Sequence, residues 1–348
     1  MFKNRNNRNI LIFSIVLILG IIVMFTPFLP KYIEGPGDAI NLKPIVNVDH
    51  HYDKNKGKFM LTTVRESKAS PASYLYAKIN PHYSIENIDD ITNGENDQTY
   101  MKVQTFYMMN SINEAIYNAY HYANQKVTMK YNGIYVLNID DKSKFKNKLS
   151  VGDTIISVDG HKFSSSYNFR KYINDKKIGQ RVNIEFNHDG KLMNAKEPLI
   201  NLMGSKHPGI GIILIDNDSV KPEIPIKINP GAVGGPSGGL MFSLQIYEQL
   251  TGENIRHGES IAGTGTIDKN GNVGEIGGID KKIIAAKNAG AKYFLAPYVK
   301  PTKDILKFEE NNMTNYQSAV KTAKKYAPNM KVIPVTNFKD ALNKLNNI

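Results

Sequence analysis

The sequence has 348 residues, 41% hydrophobic and 22% charged, which is the balance of a globular protein with room for two modest domains rather than of a disordered chain. It contains no cysteine, and this excludes disulfides, thiol catalysis and cysteine-bound zinc. The formal charge of +12 comes from lysines spread over the whole length, with no basic stripe interleaved with aromatics, so nucleic acid is not an expected partner.

In chain order, residues 1–9 carry Lys3, Arg5 and Arg8, and residues 10–29 follow as the uncharged apolar run ILIFSIVLILGIIVMFTPFL. About 20 residues at about 1.5 Å each cross a hydrocarbon core of about 30 Å, so the run is read as a transmembrane helix tying the chain to the lipid bilayer. It ends in Pro27, Phe28, Leu29 and Pro30 rather than in the small residues of a signal-cleavage site, which favours an uncleaved anchor. The basic flank keeps residues 1–9 in the cytoplasm and places the remainder outside, a single-pass topology at the cell membrane. Residues 30–55 begin PKYIEGPGDAINLKP, and their prolines and glycines read as an extended tether.

Residues 56–130 open with the strand-like GKFMLTTV, where Phe59, Leu61 and Thr63 share a face. An amphipathic helix follows, on which Met108, Ile112, Ala115, Ala119 and Tyr122 recur at helical spacing. Residues 131–202 form a β-rich unit: the strand GIYVLNI, the turn and strand LSVGDTIISVDG, the short helix SSYNFRKYIND and a hairpin closed at Asp189-Gly190. Residues 203–348 alternate β and α. The strands GIGIILI and EIPIKINP precede a helix over 238–250, stopped by Thr251-Gly252, and a hairpin turns at Lys269-Asn270-Gly271. The helix IDKKIIAAKNAG, the strands AKYFLAP and KVIPV, and a closing helix with Phe338, Ala341, Leu342 and Leu345 on one face complete the chain.

The chemistry concentrates around NPGAVGGPSGGL, which sets Ser237 on a glycine-rich turn before a helix. Pro236 suits a first helical turn, and helix-terminal N–H groups can hold an oxyanion. Gly235 and Gly238 let a substrate backbone come close. A serine nucleophile needs a base, and the only histidine after Ser237 is His257, too early for a serine–acid–histidine order. Lysine remains: Ile279, Lys282, Ile283 and Ala286 share one helical face, and burial in a first turn would lower the Lys282 pKa. Lys281 falls off that stripe, so its replacement is expected to cost little.

The stretch VGDTIISVDGHKF (Val151 to Phe163) resembles the segment of bacterial PDZ domains between the carboxylate loop and the helix walling the peptide groove. That resemblance implies a loop at Tyr131, Asn132, Gly133, Ile134 and Tyr135 that binds peptide or protein ends. The PSGG motif, the second lysine of GGIDKK and the intervening GTGTIDKNGNVGEIGG resemble the proteolytic domain of Lon proteases. By that resemblance Ser237 is the nucleophile, Lys282 its base and Thr264 a supporting residue. One departure is Val233-Gly234, where the family has a Lys-Asp pair. With the apolar run, the whole is similar to the membrane-anchored PDZ-containing Lon-type serine proteases of Gram-positive bacteria, including the pheromone-processing group. The fold class implied is α+β: a Lon-type proteolytic domain with an inserted β-rich PDZ domain, preceded by one transmembrane helix. No G-x-x-x-x-G-K-[ST] motif occurs, so an ATP-independent endopeptidase is expected, without nucleotide, metal or other cofactor. Its expected substrates are secreted peptides or small membrane proteins, and a homo-oligomer is compatible with the sequence. The alternative is a non-proteolytic tethering protein whose PDZ domain binds partners on a Lon-like scaffold.

Overall fold

The computed structural model describes residues 5–202 and 206–348, with side chains from Arg8 onward; Lys3 and the side chain of Arg5 lie outside the described residues. Helix α1 (Arg5–Phe25) contains the stretch Arg8–Phe25, of mean hydropathy 2.5, and none of that stretch is buried. It has the length and composition of a membrane span. The helix stops four residues before the apolar run does, because Pro27 disfavours helical backbone at Thr26 and has no N–H to donate.

Residues 30–55 are not a tether. Lys31–Asn41 is strand β1, and Val46–Val48 is the short strand β2. Leu42, Val46 and Val48 are buried in the main core. Pro36 and the glycines beside it, which argued for a linker, occupy a β-bulge between Pro36 and Ala39. Strand β3 (Lys58–Lys68) pairs antiparallel with β1, and helix α2 (Pro71–Ile79) and strand β4 (Ser84–Asn87) follow. The long helix α3 (Asp97–Tyr122) buries Met108, Ile112, Ala115 and Ala119 as its spacing predicts.

The β-rich unit comprises β5 (Val127–Ile139), β6 (Thr154–Val158), α4 (Ser166–Asn174), β7 (Arg181–His188), β8 (Lys191–Pro198) and β9 (Ile212–Pro222). Its sheet runs β9-β5-β6-β7-β8. It has its own core, in which Val136, Phe145, Ile155, Phe169, Ile184 and Phe186 meet. The β7–β8 hairpin turns at Asp189 and Gly190, both at positive φ as an Asp-Gly turn requires. The expected start of the unit at residue 131 shifts earlier. Strand β5 begins at Val127, and GIGIILI, expected to open the proteolytic half, leads into β9, which pairs along the whole of β5.

Next come β10 (Ile226–Ile228), α5 (Gly239–Thr251), β11 (Ser260–Gly263), the hairpin strands β12 (Thr266–Ile267) and β13 (Val273–Gly274), α6 (Ile279–Asn288), β14 (Tyr293–Pro297), α7 (Asn315–Tyr326), β15 (Lys331–Val335) and α8 (Phe338–Leu345). The main sheet runs β15-β14-β11-β3-β1-β4, so elements before and after the β-rich unit share it. The neighbours β3, β11, β14 and β15 are parallel to one another. Both faces are covered. Phe59 and Leu61 of β3 join α3 and α5 on one side, while Met60 joins α6 and α7 on the other. Helix α5 is buried almost throughout. Its Leu240, Met241, Phe242, Leu244 and Ile246 each contribute roughly 1.5–3 kcal/mol of burial, and that fixes the turn in front of it.

Candidate active site

Ser237 is half-buried in the turn leading into α5, whose N-cap is Gly238. Pro236 precedes that cap by two residues and so lies outside the helix, a correction to its expected first-turn position. The turn is held from two sides instead. On one, Gly235 donates its N–H to the Gln104 carbonyl at 2.9 Å and the Ser111 hydroxyl donates to the Pro236 carbonyl at 2.8 Å. Gly235 has φ +80, a conformation that favours glycine. On the other, the Ser237 carbonyl accepts from the Gly265 N–H at 2.9 Å and from the Thr264 hydroxyl at 3.1 Å.

Lys282 reaches this turn from the first turn of α6. Its Nζ lies 2.8 Å from Ser237 Oγ and 3.0 Å from Thr264 Oγ1. The side chain is 3% exposed, and burial lowers its pKa from 10.5 to about 7 against the opposing pull of the Glu34 carboxylate. A neutral amine has two protons and one lone pair. Because the Thr264 hydroxyl spends its proton on the Ser237 carbonyl, it can accept one from Nζ, which aims the lone pair at the serine hydroxyl. The expected grouping of Ser237, Lys282, Thr264 and the flanking Gly235, Pro236 and Gly238 is thus found in one place.

Lys281 is not the exposed neighbour its helical position suggested. It is also 3% exposed, with Nζ 3.2 Å from Glu34 Oε2 and 3.5 Å from Asp280 Oδ1. Burial pulls its pKa down, but Glu34 and Asp280 outweigh that and raise it above 10.5. Burial dominates at Lys282 and the Glu34 and Asp280 carboxylates at Lys281, so the pKa values of the adjacent lysines move in opposite directions. Glu34 comes from β1, where the sequence showed only a linker. A Cβ on Gly278, the φ +63 cap of α6, would lie 2.9 Å from its Oε1. Gln104 and Ser111 were also missed; they lie on a helix whose apolar stripe gave no sign that its polar side faces a loop far along the chain.

A groove of about 1010 Å³ leads from Ser237 and Lys282 along β3 to Phe28. Val233 and Gly234 line it together with Tyr100, Met101 and Gln104 of α3. Tyr100 donates to Glu66 Oε2 at 2.7 Å, and Lys68 pairs with Asp97. His257 is exposed and is absent from this groove.

Tyr131, Asn132, Gly133, Ile134 and Tyr135, expected as a carboxylate loop, instead lie inside β5. Ile134 and Tyr135 pair with β6 on one edge, and all but Asn132 have a register partner in β9 on the other. Gly133 at φ +140 and a register shift in β9 between Asn217 and Asp218 mark the only trace of a turn there. Tyr135 stacks on Phe106 of α3, so this segment also packs against the main body.

Two family models match the chain: the PDZ domain over residues 125–198 and the Lon protease C-terminal proteolytic domain over residues 211–340. The Lon protease of Desulforamulus reducens is 39% identical over 79 residues, covering 22% of this chain and 10% of that protein. That of Neorickettsia sennetsu is 30% identical over 122 residues, covering 34% and 13%. The chain thus spans about an eighth or less of the length of these relatives. Among solved structures, the PDZ domain of the SdrC-like protein from Listeria monocytogenes is 38% identical, with coverage of 24% of this chain and 90% of that one and a TM-score of 0.24. By the two family models, the chain joins a PDZ domain to a Lon-type C-terminal proteolytic domain.

Proposed function

We propose that the protein is a membrane-anchored, ATP-independent serine endopeptidase whose Ser237–Lys282 dyad works outside the cytoplasm. The observation that carries this reading is the 2.8 Å contact between Ser237 Oγ and a buried lysine whose pKa is lowered to about 7. Ser237 Oγ attacks a peptide carbonyl carbon while its proton passes to Lys282 Nζ, and amides at the start of α5 stabilise the oxyanion. The resulting ammonium protonates the leaving amine, the C–N bond breaks, and an acyl-serine remains. Water, deprotonated by the same lysine, then releases the acid. The substrate lies extended in the groove along β3, and the PDZ domain recruits peptide or protein substrates. Helix α1 supplies the anchor, with its N-terminal end in the cytoplasm.

The test is labelling by a peptide aldehyde or a serine-directed phosphonate. Wild type labels at Ser237, and Ser237→Ala stays folded while losing both labelling and cleavage of an extended peptide. Cleavage retained by Ser237→Ala refutes the dyad. Cysteine-accessibility labelling of single-cysteine variants on either side of α1 tests the topology, since the native chain has none.

A further inference from the structure

Helix α2 does not have the outer face of a helix that meets water. On one side Tyr74 and Ala77 pack into a small core with Leu29, Ile33 and Ala69. On the other, Ala72, Leu75, Tyr76 and Ile79 recur at i, i+3, i+4 and i+7 as an apolar stripe. Leu75 is 55% exposed and Ile79 83%, at positions where a solvated helix carries polar or charged residues. The helix has no acidic residue. Its one charge is Lys78, whose Nζ lies over the Tyr74 ring, 4.9 Å from its centre.

What covers the stripe follows from its neighbour, because α2 packs against α1. The chain leaving α1 is fixed at once. The Leu29 N–H donates to the Ala69 carbonyl at 2.8 Å, the Ala69 N–H donates to the Lys31 carbonyl at 2.9 Å, and Ser70 then caps α2. Leu29 follows the end of α1 at Phe25 by at most about 14 Å of extended chain. In the last turn of α1, Met24 is partly covered while Val23 and Phe25 are exposed. The end of the apolar span is thus locked to the start of α2. A helix held there, with its apolar face outward and a tyrosine and a lysine on it, has the make-up of one that lies in a membrane interface. We propose that α2 rests on the bilayer, with Leu75, Tyr76 and Ile79 among the lipids, as a continuation of the surface that α1 presents. The groove from the dyad ends at Phe28, three residues past α1, and so opens at the membrane surface. The inference rests on the reading of α1 as a membrane span and is independent of the dyad.

The chain has no tryptophan, so Leu75→Trp, Ile79→Trp, Phe25→Trp and Tyr167→Trp each place a single one in the full chain. The four proteins are reconstituted into phosphatidylcholine vesicles with and without bromines high on one acyl chain. Position 25 reports on α1, and position 167, on α4 and 68% exposed, is the solvent reference. Brominated lipid should remove about half or more of the emission at positions 75, 79 and 25, because those rings would lie within about 10 Å of the headgroup–acyl boundary. Emission at position 167 should not change. Quenching at 25 with none at 75 or 79 overturns the proposal and leaves the anchor standing. No quenching at 25 removes the anchor and the proposal with it. Equal quenching at 75 and 167 overturns it as unselective. So does emission at 75 that is blue-shifted but unquenched and returns to the water-exposed wavelength on dilution with lipid, because a second copy then covers the stripe.

Discussion

Replacing Lys282 with methionine separates chemistry from stability. With a pKa of about 7, about half of the Lys282 side chains are neutral at pH 7; for a free lysine the neutral fraction is on the order of one in three thousand. Lys282→Met keeps an unbranched stem and removes the base, so kcat/KM should fall at least about a hundredfold. The same burial costs stability. Unfolded, Lys282 returns to a pKa near 10.5, so between pH 7 and 10.5 the unfolded chain binds more protons and stability rises with pH. At about 1.4 kcal/mol per pH unit, the cost reaches a ceiling of about 5 kcal/mol below pH 7 and vanishes above 10.5. Lys282→Met is free of it. In urea titrations the variant should therefore exceed wild type by up to about 4 kcal/mol at pH 7, and the pH-dependent part of that gap should shrink to about 1 kcal/mol at pH 9.5. A gap that stays constant or widens with rising pH refutes the buried, neutral lysine.

Glu34→Gln removes the carboxylate that holds the Lys282 pKa up, so the rising limb of the kcat/KM pH profile should move to lower pH; a shift upward contradicts the assignment. Lys281→Met breaks the buried pair with Glu34 and should cost about 2–3 kcal/mol in urea unfolding, where its helical position alone predicted almost nothing. Thr264→Val keeps the volume but loses the hydroxyl 3.0 Å from Nζ, and kcat should fall about 10- to 100-fold with unchanged probe binding; wild-type turnover ends its orienting role.

The meeting of Ser237 and Lys282 was legible because it rests on local signals: glycines around Ser237, and a helical stripe that separates Lys282 from Lys281. The apolar stripe of α3 was legible for the same reason. What escaped depends on pairing between distant segments. Strand β1 reads as a linker because Pro36 and its glycines form a bulge whose sheet partner lies in β3. Phe59 and Leu61 announced one buried face, but Met60 and Thr62 are also buried, since β3 is an inner strand covered on both sides. The expected carboxylate loop failed likewise. Its residues look like a turn until β9, about 80 residues on, supplies a partner.

The insertion also bears on how the protein comes into being. Thr62 and Gly263, joined by a hydrogen bond in neighbouring strands, are 201 residues apart. Pairing of Val127 with Pro222 at the neck of the PDZ unit cuts that loop roughly in half. Each doubling of loop length costs only about 0.6 kcal/mol of closure entropy, so the insertion is thermodynamically mild. Its weight is kinetic, because contacts so distant form late. A ribosome that has delivered Ser237 has not yet made Lys282 or the strands β14 and β15 that complete the sheet. The PDZ unit, with a local core, can condense first and bring the two halves together, and Ser237 meets Lys282 only after the segments on both sides of that unit have been made.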